Sequence, residues 1–451
     1  MIAPGPSSLP ATRAAAHGWR VLHVAALTLL LIRLAALTHI VPPWQHPDEP
    51  QHVLAAMLRL PSIAGQPGGP ARAESDIVAS MVEHGWWRHL GHADPVPTPT
   101  TFDAGPAPIA GVYGPAGGSQ LYYRWVAVIA NQLGLGRADD VLALMRALSL
   151  CAGILAWWPA LEGARLLAGP RVAGWAGMAL ALHPQFALVS TAASPDAFIN
   201  LSGTVLFLCV ARMAAGLLDT TTLVTALAAG TIGALTRRLG LPLLIVAVVV
   251  AFVGVVQRMR FSPTEARREV KWGITALTLV GGLAATLWGG SDLLVMWDYT
   301  QRLLRENTVT IADPLGYATS LFDSAWLNAG WLTYPAPAPW RYGLRAVVSL
   351  CVLGLPLALF DQKRARVALG VCVLLIGVQL AAVYYSYFRV GLGAQGRYLL
   401  PVIAPWLLAL GVGAEQWRRV LRLPALLVMG AVAVGLDLVF FAYVLVPAYG
   451  R

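Results

Sequence analysis

Long apolar stretches recur along the chain, separated by connections in which arginine, proline and glycine concentrate. The runs near 21–40, 172–190, 241–256, 342–360 and 425–446 approach or reach the roughly 20 residues that a helix needs to cross hydrocarbon. They show little alternation of polar and apolar positions, which argues against the strands of an outer-membrane barrel. The pattern predicts spans at about 20–40, 142–163, 172–191, 197–214, 221–236, 240–257, 272–290, 342–360, 367–387, 399–415 and 424–446. The expected fold class is an all-α integral membrane protein, a single domain over 1–451 with about eleven transmembrane helices. Arg13 and Arg20 precede a first run too long for the core of a secretory signal, so it reads as a retained helix.

Orientation follows from the basic residues of short connections. Arg258, Arg260, Arg267, Arg268 and Lys271 form one cluster, Lys363, Arg364 and Arg366 a second, and Arg418, Arg419 and Arg422 a third. Two predicted helices separate each neighbouring pair, so all three fit the cytoplasmic side together. The N-terminus is then cytoplasmic and the C-terminus extracytoplasmic. Two long connections, about 41–141 and 291–341, fall outside. Amphipathic stretches at 72–90, 119–134 and 319–332 read as helices lying on the outer leaflet. Trp86, Trp87, Tyr122 and Tyr123 read as interfacial aromatics of the first loop, with Trp297, Trp326, Trp331 and Trp340 in the second. No internal repeat or separate soluble domain is evident.

Composition agrees with the pattern. Hydrophobic residues make up 57% and charged residues 12% of the chain, about half the charged share of a soluble domain. The formal charge of +10 comes almost wholly from arginine. Its clustering between apolar runs encodes topology, and no nucleic-acid partner is expected. Cys151, Cys209, Cys351 and Cys372 lie far apart inside apolar runs with no metal-ligand spacing, and read as small buried packing residues.

Four stretches carry candidate chemistry. Pro42-Pro43-Trp44-Gln45-His46-Pro47-Asp48-Glu49-Pro50-Gln51-His52 sets two carboxylates at the outer end of the first helix. A helix starting near Asp48 would put Asp48 and His52 on one face and turn Glu49 away. Carboxylates held rigid by flanking prolines suit a general base or a cation ligand, and equally an ordinary helix cap. Ser194-Pro195-Asp196 is a tight outer turn whose aspartate could cap the next helix. Arg237 and Arg238 lie at the outer boundary against the charge rule, where a lipid phosphate or simple snorkelling would explain them. In Gln395-Gly396-Arg397-Tyr398-Leu399-Leu400-Pro401, the planar fork of Arg397 suits phosphate or carboxylate, while Arg and Tyr could equally anchor at the interface. Arg33 and His183 are expected inside the membrane, as a partnered arginine and a packing residue at a proline kink. Topology puts Asp48, Glu49, Asp196, Arg237, Arg238 and Arg397 on one side. That is what transfer from a phosphate-linked lipid requires: a carboxylate to take a proton and cations to hold the departing phosphate.

The Pro-Asp-Glu-Pro-x-His stretch 47–52, Leu-Tyr-Tyr at 121–123, Ser-Pro-Asp at 194–196 and Gln-Gly-Arg-Tyr-x-x-Pro at 395–401 resemble a bacterial family of predicted membrane proteins. That family is grouped with the GT-C superfamily of membrane glycosyltransferases. Trp326-Leu327-Asn328-Ala329-Gly330-Trp331 is similar to a Trp/Gly-rich segment that such proteins carry before a late helix. The resemblance implies a GT-C-like bundle using a polyprenyl-phosphate sugar donor at the extracytoplasmic face of a bacterial inner membrane, in cell-envelope glycan assembly. It implies Asp48 as base, Glu49 as its catalytic neighbour and a possible ligand of a divalent cation, and Arg237 or Arg238 with Arg397 at the donor phosphate. His52, Asp196, Gln395 and Tyr398 would support the acceptor side. No Asp-x-Asp pair is present, which leaves metal dependence open, and sugar and acceptor are open too. Rival readings are a transporter or flippase of lipid-linked glycan precursors, and a non-catalytic assembly partner.

Overall fold

The computed structural model describes residues 13–86, 120–261, 313–329, 334–360, 363–390, 393–422 and 425–449. The predicted span 272–290, the basic residues 267–271, Trp87, Trp297 and Trp331 lie outside them. In chain order the helices are α1 (Arg13–Ile40), α2 (Glu49–Met57), α3 (Gly69–Glu83), α4 (Gln120–Gln132), α5 (Ala138–Ala168), α6 (Pro170–Ala181), α7 (Pro184–Ser190) and α8 (Asp196–Ala214). They continue as α9 (Thr220–Thr236), α10 (Leu241–Phe261), α11 (Pro314–Trp326), α12 (Ala338–Leu359), α13 (Lys363–Val390), α14 (Ile403–Leu421), α15 (Ala425–Phe440) and α16 (Val446–Tyr449). Short 3-10 segments at Arg238–Gly240 and Gly396–Val402 lead into α10 and α14. A two-residue ladder pairs β1 (Asn328–Ala329) with β2 (Tyr334–Pro335) antiparallel.

Among the described residues, eight helices are long and apolar enough to cross a bilayer. The expected span 172–191 is instead the pair α6 and α7, bent by 59°. Pro184 explains the break: it cannot continue the α6 hydrogen-bond ladder, and it restarts a helix whose N-cap is His183. Large apolar side chains face outward on several spans, with Leu155 61%, Phe252 69% and Leu438 64% exposed. In water such a belt would be unfavourable, whereas in lipid it is the solvated surface.

The most buried long helix is α14, packed by α6, α12, α13 and α15. Small residues bring backbones close there. A methyl on Gly413 would run into the Cys351 backbone, and one on Gly411 would meet the Trp175 ring. Cys209, Cys351 and Cys372 are buried as expected, but Cys151 is exposed on α5.

A second core sits at one end of the bundle. Trp44, Val53, Met57, Ile77, Met81, Tyr122, Val126 and Met145 bury one another between α2, α3, α4 and the start of α5. The amphipathic faces of α3 and α4 are therefore turned onto protein, and Trp86, Tyr122 and Tyr123 are buried within this cap, not set out as interfacial anchors. Burying them removes large apolar rings from water, and polar bonds complete the cap. The Trp44 indole donates to the Ser80 hydroxyl at 2.8 Å, the Trp86 indole donates to the Trp44 carbonyl at 2.7 Å, and the Asp76 carboxylate accepts from the Ala138 backbone at 2.7 Å, which caps α5.

Candidate active site

The connection between α1 and α2 carries two non-glycine residues in the left-handed region, Trp44 at φ 69° and Asp48 at φ 65°. Such a conformation costs of order 1–2 kcal/mol per residue and persists where surroundings enforce it. Here Glu49 enforces it. Its carboxylate receives Arg146 Nε and Nη2 at 2.8 Å each, the Ala193 backbone N–H at 2.9 Å and the His46 backbone N–H at 3.3 Å. Arg146 also donates to the Val41 and Pro42 carbonyls at 3.1 and 2.8 Å. One buried ion pair thus ties the 41–49 connection, α5 and the 191–195 turn together. Burial would raise the Glu49 carboxyl, but Arg146 and the bonds around it hold it below its ordinary value.

With Glu49 turned toward α5, Asp48 points the other way. It does not cap α2: its carboxylate meets the Arg397 guanidinium. Arg397 Nε lies 3.6 Å from Asp196 Oδ2. Asp196 does not cap α8 either, because its carboxylate takes a hydrogen bond from Arg237. The result is an alternating chain, Asp48–Arg397–Asp196–Arg237, drawn from four separate stretches. The Tyr398 ring lies beneath both cations, 5.5 Å from Arg237 and 5.7 Å from Arg397. Burial pushes the Asp48 carboxyl up, but Arg397, His52 and Arg237 outweigh it and bring it down to about 2.

His52 stands one turn after Asp48, and its Nδ1 shares a 2.6 Å hydrogen bond with the Tyr123 hydroxyl. Burial lowers its pKa to about 4 although Asp48 pulls upward, so the ring is neutral near pH 7. Arg237, not Arg238, is the member of its pair against Asp196; Arg238 begins the 3-10 turn that leads into α10.

Two glycines set the approach of Arg397. A methyl on Gly396 would strike the Ala325 backbone, and one on Gly203 of α8 would strike the Pro401 carbonyl. The Gly396 N–H donates to the Ser324 hydroxyl at 2.8 Å, which pins the loop to α11. Beside the cluster opens a cavity of about 520 Å³ lined by His46, Gln185, Asp196, Asn328, Gln395 and Arg397, among others. Behind the same wall lies an apolar groove of about 530 Å³, lined by His183, Trp326, Leu344, Leu407 and Met429. The segments 183–185 and 326–328 contribute to both spaces.

The cluster does not resemble a resident metal centre. No three His, Cys, Asp or Glu side chains converge as metal ligands among the described residues. The two Glu49 oxygens are engaged by Arg146 and backbone N–H groups.

Sequence reasoning passed over three contributors. Arg146 and Asp437 sit inside runs read only for hydropathy, and the rule that singled out Arg33, a lone charge within an apolar span, would have found both. Asp437 is the partner of Arg33, whose Nη1 also donates at 2.6 Å to the Ala181 carbonyl, which lies at the break between α6 and α7. Gln185 lines the cavity and had no motif to mark it. The opposite end of the bundle holds different basic residues. There Arg364 donates to the Leu167, Arg165 and Leu166 carbonyls, and Arg418 pairs with Glu415.

No family model matches the sequence, and no curated protein sequence matches it. The fold, however, is similar to solved structures. ArnT from Cupriavidus metallidurans bound to undecaprenyl phosphate is 15% identical, with 97% of this chain and 78% of that one covered, at a TM-score of 0.51. The apo form of the same protein gives 0.48 at the same identity and coverage. The oligosaccharyltransferase AglB from Archaeoglobus fulgidus, in complex with an inhibitory peptide and a dolichol-phosphate, is 11% identical over 94% of this chain and 55% of that one, with a TM-score of 0.42. The last two likenesses are too loose to argue from. The chain is thus a multi-pass helical membrane protein whose fold is similar to that of ArnT.

Proposed function

We propose that this chain is a membrane glycosyltransferase that moves a sugar from a polyprenyl-phosphate donor to an acceptor hydroxyl. The reaction would occur at the extracytoplasmic face of a bacterial inner membrane, during assembly of a cell-envelope glycan. The observation that carries the reading is the Asp48–Arg397–Asp196–Arg237 chain, two members of which line one end of a cavity, with an apolar groove behind the same wall. The fold likeness to ArnT, solved with undecaprenyl phosphate, supports it. The prenyl chain would rest in the groove beside Trp326 and Leu344, and the phosphate would meet Arg397 and Arg237.

The salt-bridged cluster also suggests an order of events. In its pair with Arg397, Asp48 is a weak base with a pKa of about 2. A donor phosphate competes for that guanidinium, and as Arg397 turns to it the carboxylate loses its main electrostatic hold and gains basicity. The acceptor oxygen then attacks the anomeric carbon while its proton passes to Asp48. The bond from that carbon to the phosphate oxygen breaks, and its electron pair leaves on the phosphate, which Arg397 and Arg237 stabilise. Attack opposite the leaving group inverts the anomeric centre. No step is routed through a metal ion. Glu49 acts through Arg146 as a positioning residue, and His52, held by Tyr123 one turn after Asp48, would orient the acceptor. The test is transfer from a polyprenyl-phosphate sugar panel in proteoliposomes. Asp48→Asn should lose about 10²-fold or more, and an unchanged rate in a correctly inserted variant would remove the assigned role.

Two observations favour a transport reading: a broken helix pair and a buried Arg33–Asp437 pair are features transporters use. Arg33 also satisfies the Ala181 carbonyl freed at the break, which gives the pair a structural purpose. Movement of a lipid-linked sugar across vesicles without a new glycosidic bond would select transport.

A further inference from the structure

We propose that the cavity between α7, β1 and the 393–397 loop receives the glycosyl group of the donor, and that this group is a single sugar ring with no formal charge. The proposal rests on the glycosyltransferase reading.

The first argument is position. Asp196 and Arg397 line one end of the cavity. A phosphate held at Arg397 therefore leaves its ester-linked ring inside. Size is the second. Only about 40 Å³ of the cavity is open to the centre of a water-sized sphere, which leaves no room for an oligosaccharide.

The third argument is the chemistry of the walls. Apart from Asp196 and Arg397, the polar lining is His46, Gln185, Ser194, Ser324, Asn328 and Gln395. These are amides, hydroxyls and an imidazole. Burial keeps that imidazole neutral at physiological pH, with its Nε2 3.5 Å from the Thr191 hydroxyl. Leu188, Val189 and Ala192 supply an apolar surface for the C–H face of a ring. Asn328 Oδ1 is buried with no hydrogen-bond partner, as is Arg397 Nε at the charged end. An orphaned buried acceptor is costly and invites a hydroxyl donor. The two arginines and two aspartates compensate one another, and among the described residues the remaining wall offers no counter-ion. A ring ammonium would face amides with no carboxylate beside it, and a ring carboxylate would find no cation there; both would be desolvated without compensation.

The experiment uses the full chain in lipid nanodiscs. Four probes are compared: bare polyprenyl phosphate, and polyprenyl-phosphate carriers of a neutral hexose, an amino sugar and a uronic acid. The neutral donor should exceed both charged donors in kcat/KM by about tenfold or more. Asn328→Asp should move the preference toward the amino sugar by about tenfold, while bare polyprenyl phosphate still binds. Gln395→Glu makes the same test on the facing loop if the first variant fails to insert. A wild-type preference for either charged ring, or acidic variants whose sugar ratio does not move, overturns the proposal while polyprenyl phosphate binding preserves the reading beneath it. Failure of every probe to bind overturns both.

Discussion

Removing either member of the Glu49–Arg146 pair should unfold the catalytic connection more than it alters any chemical group. The Glu49 side chain is 0% exposed and that of Arg146 11%. Breaking a buried pair from one side costs about 3–5 kcal/mol, because the survivor keeps a charge that nothing compensates. In Glu49→Gln the amide NH2 faces one Arg146 nitrogen together with one backbone N–H, that of Ala193 or of His46, so donor faces donor whichever way it flips. In Arg146→Met the Glu49 carboxylate is stranded, and the Val41 and Pro42 carbonyls lose their donor. The double variant removes both charges yet leaves those carbonyls and one backbone N–H without partners, each worth about 1–3 kcal/mol. It should therefore be less damaging than the sum of the singles, yet below wild type. The assay is a double-mutant cycle by thermal unfolding in micelles, with bare polyprenyl phosphate affinity measured alongside. Because the pair touches no substrate, the variants that remain folded should lose kcat with phosphate affinity little changed. Single losses under about 1 kcal/mol that simply add would refute the view that this pair fixes the left-handed turn at Asp48.

Other outcomes follow from the same geometry. Gly396→Ala should abolish transfer and lower thermal stability, since its methyl collides with the Ala325 backbone; wild-type activity would contradict the packing. Arg33→Leu or Asp437→Leu alone should reduce the yield of folded protein, and the double substitution should restore part of it, read by size-exclusion recovery; identical losses in all three would discount the pair. Acid should destabilise the site. Asp48 is depressed to about 2, so its stabilisation is complete above its ordinary carboxylate range and disappears as pH falls through that range toward 2; Asp48→Asn should flatten this part of the stability profile.

The helices were legible because hydrophobic length is the strongest signal a membrane sequence carries. Ten of the eleven expected spans correspond to helices among the described residues, one of them the bent pair α6 and α7. The convergence of Asp48, Asp196, Arg237 and Arg397 was approachable for a related reason: charges at one boundary must lie near one plane, whatever their order along the chain. Depth and direction within that plane were not encoded so simply. Hydropathy treats Arg146 and Asp437 as blemishes in apolar runs, although each has a specific partner far away in sequence, Arg146 with Glu49 at 97 residues and Asp437 with Arg33 at 404. The aromatics of the first loop misled because a tryptophan suits an interface and a protein core equally. Only the packing of α2, α3 and α4 on α5 decides between them for Trp86, and the same packing buries Tyr122 and Tyr123. The walls of the cavity, Gln185 and Asn328, come from elements that meet only in three dimensions.

The most direct measurement follows the fate of the lipid. Purified chain would be given a polyprenyl-phosphate sugar labelled in both parts, with an envelope extract as acceptor. The account predicts free polyprenyl phosphate in equal amount to a new glycoside of inverted anomeric configuration, both lost in Asp48→Asn. Label that crosses the bilayer still joined, with no free polyprenyl phosphate and no new glycoside, would contradict it.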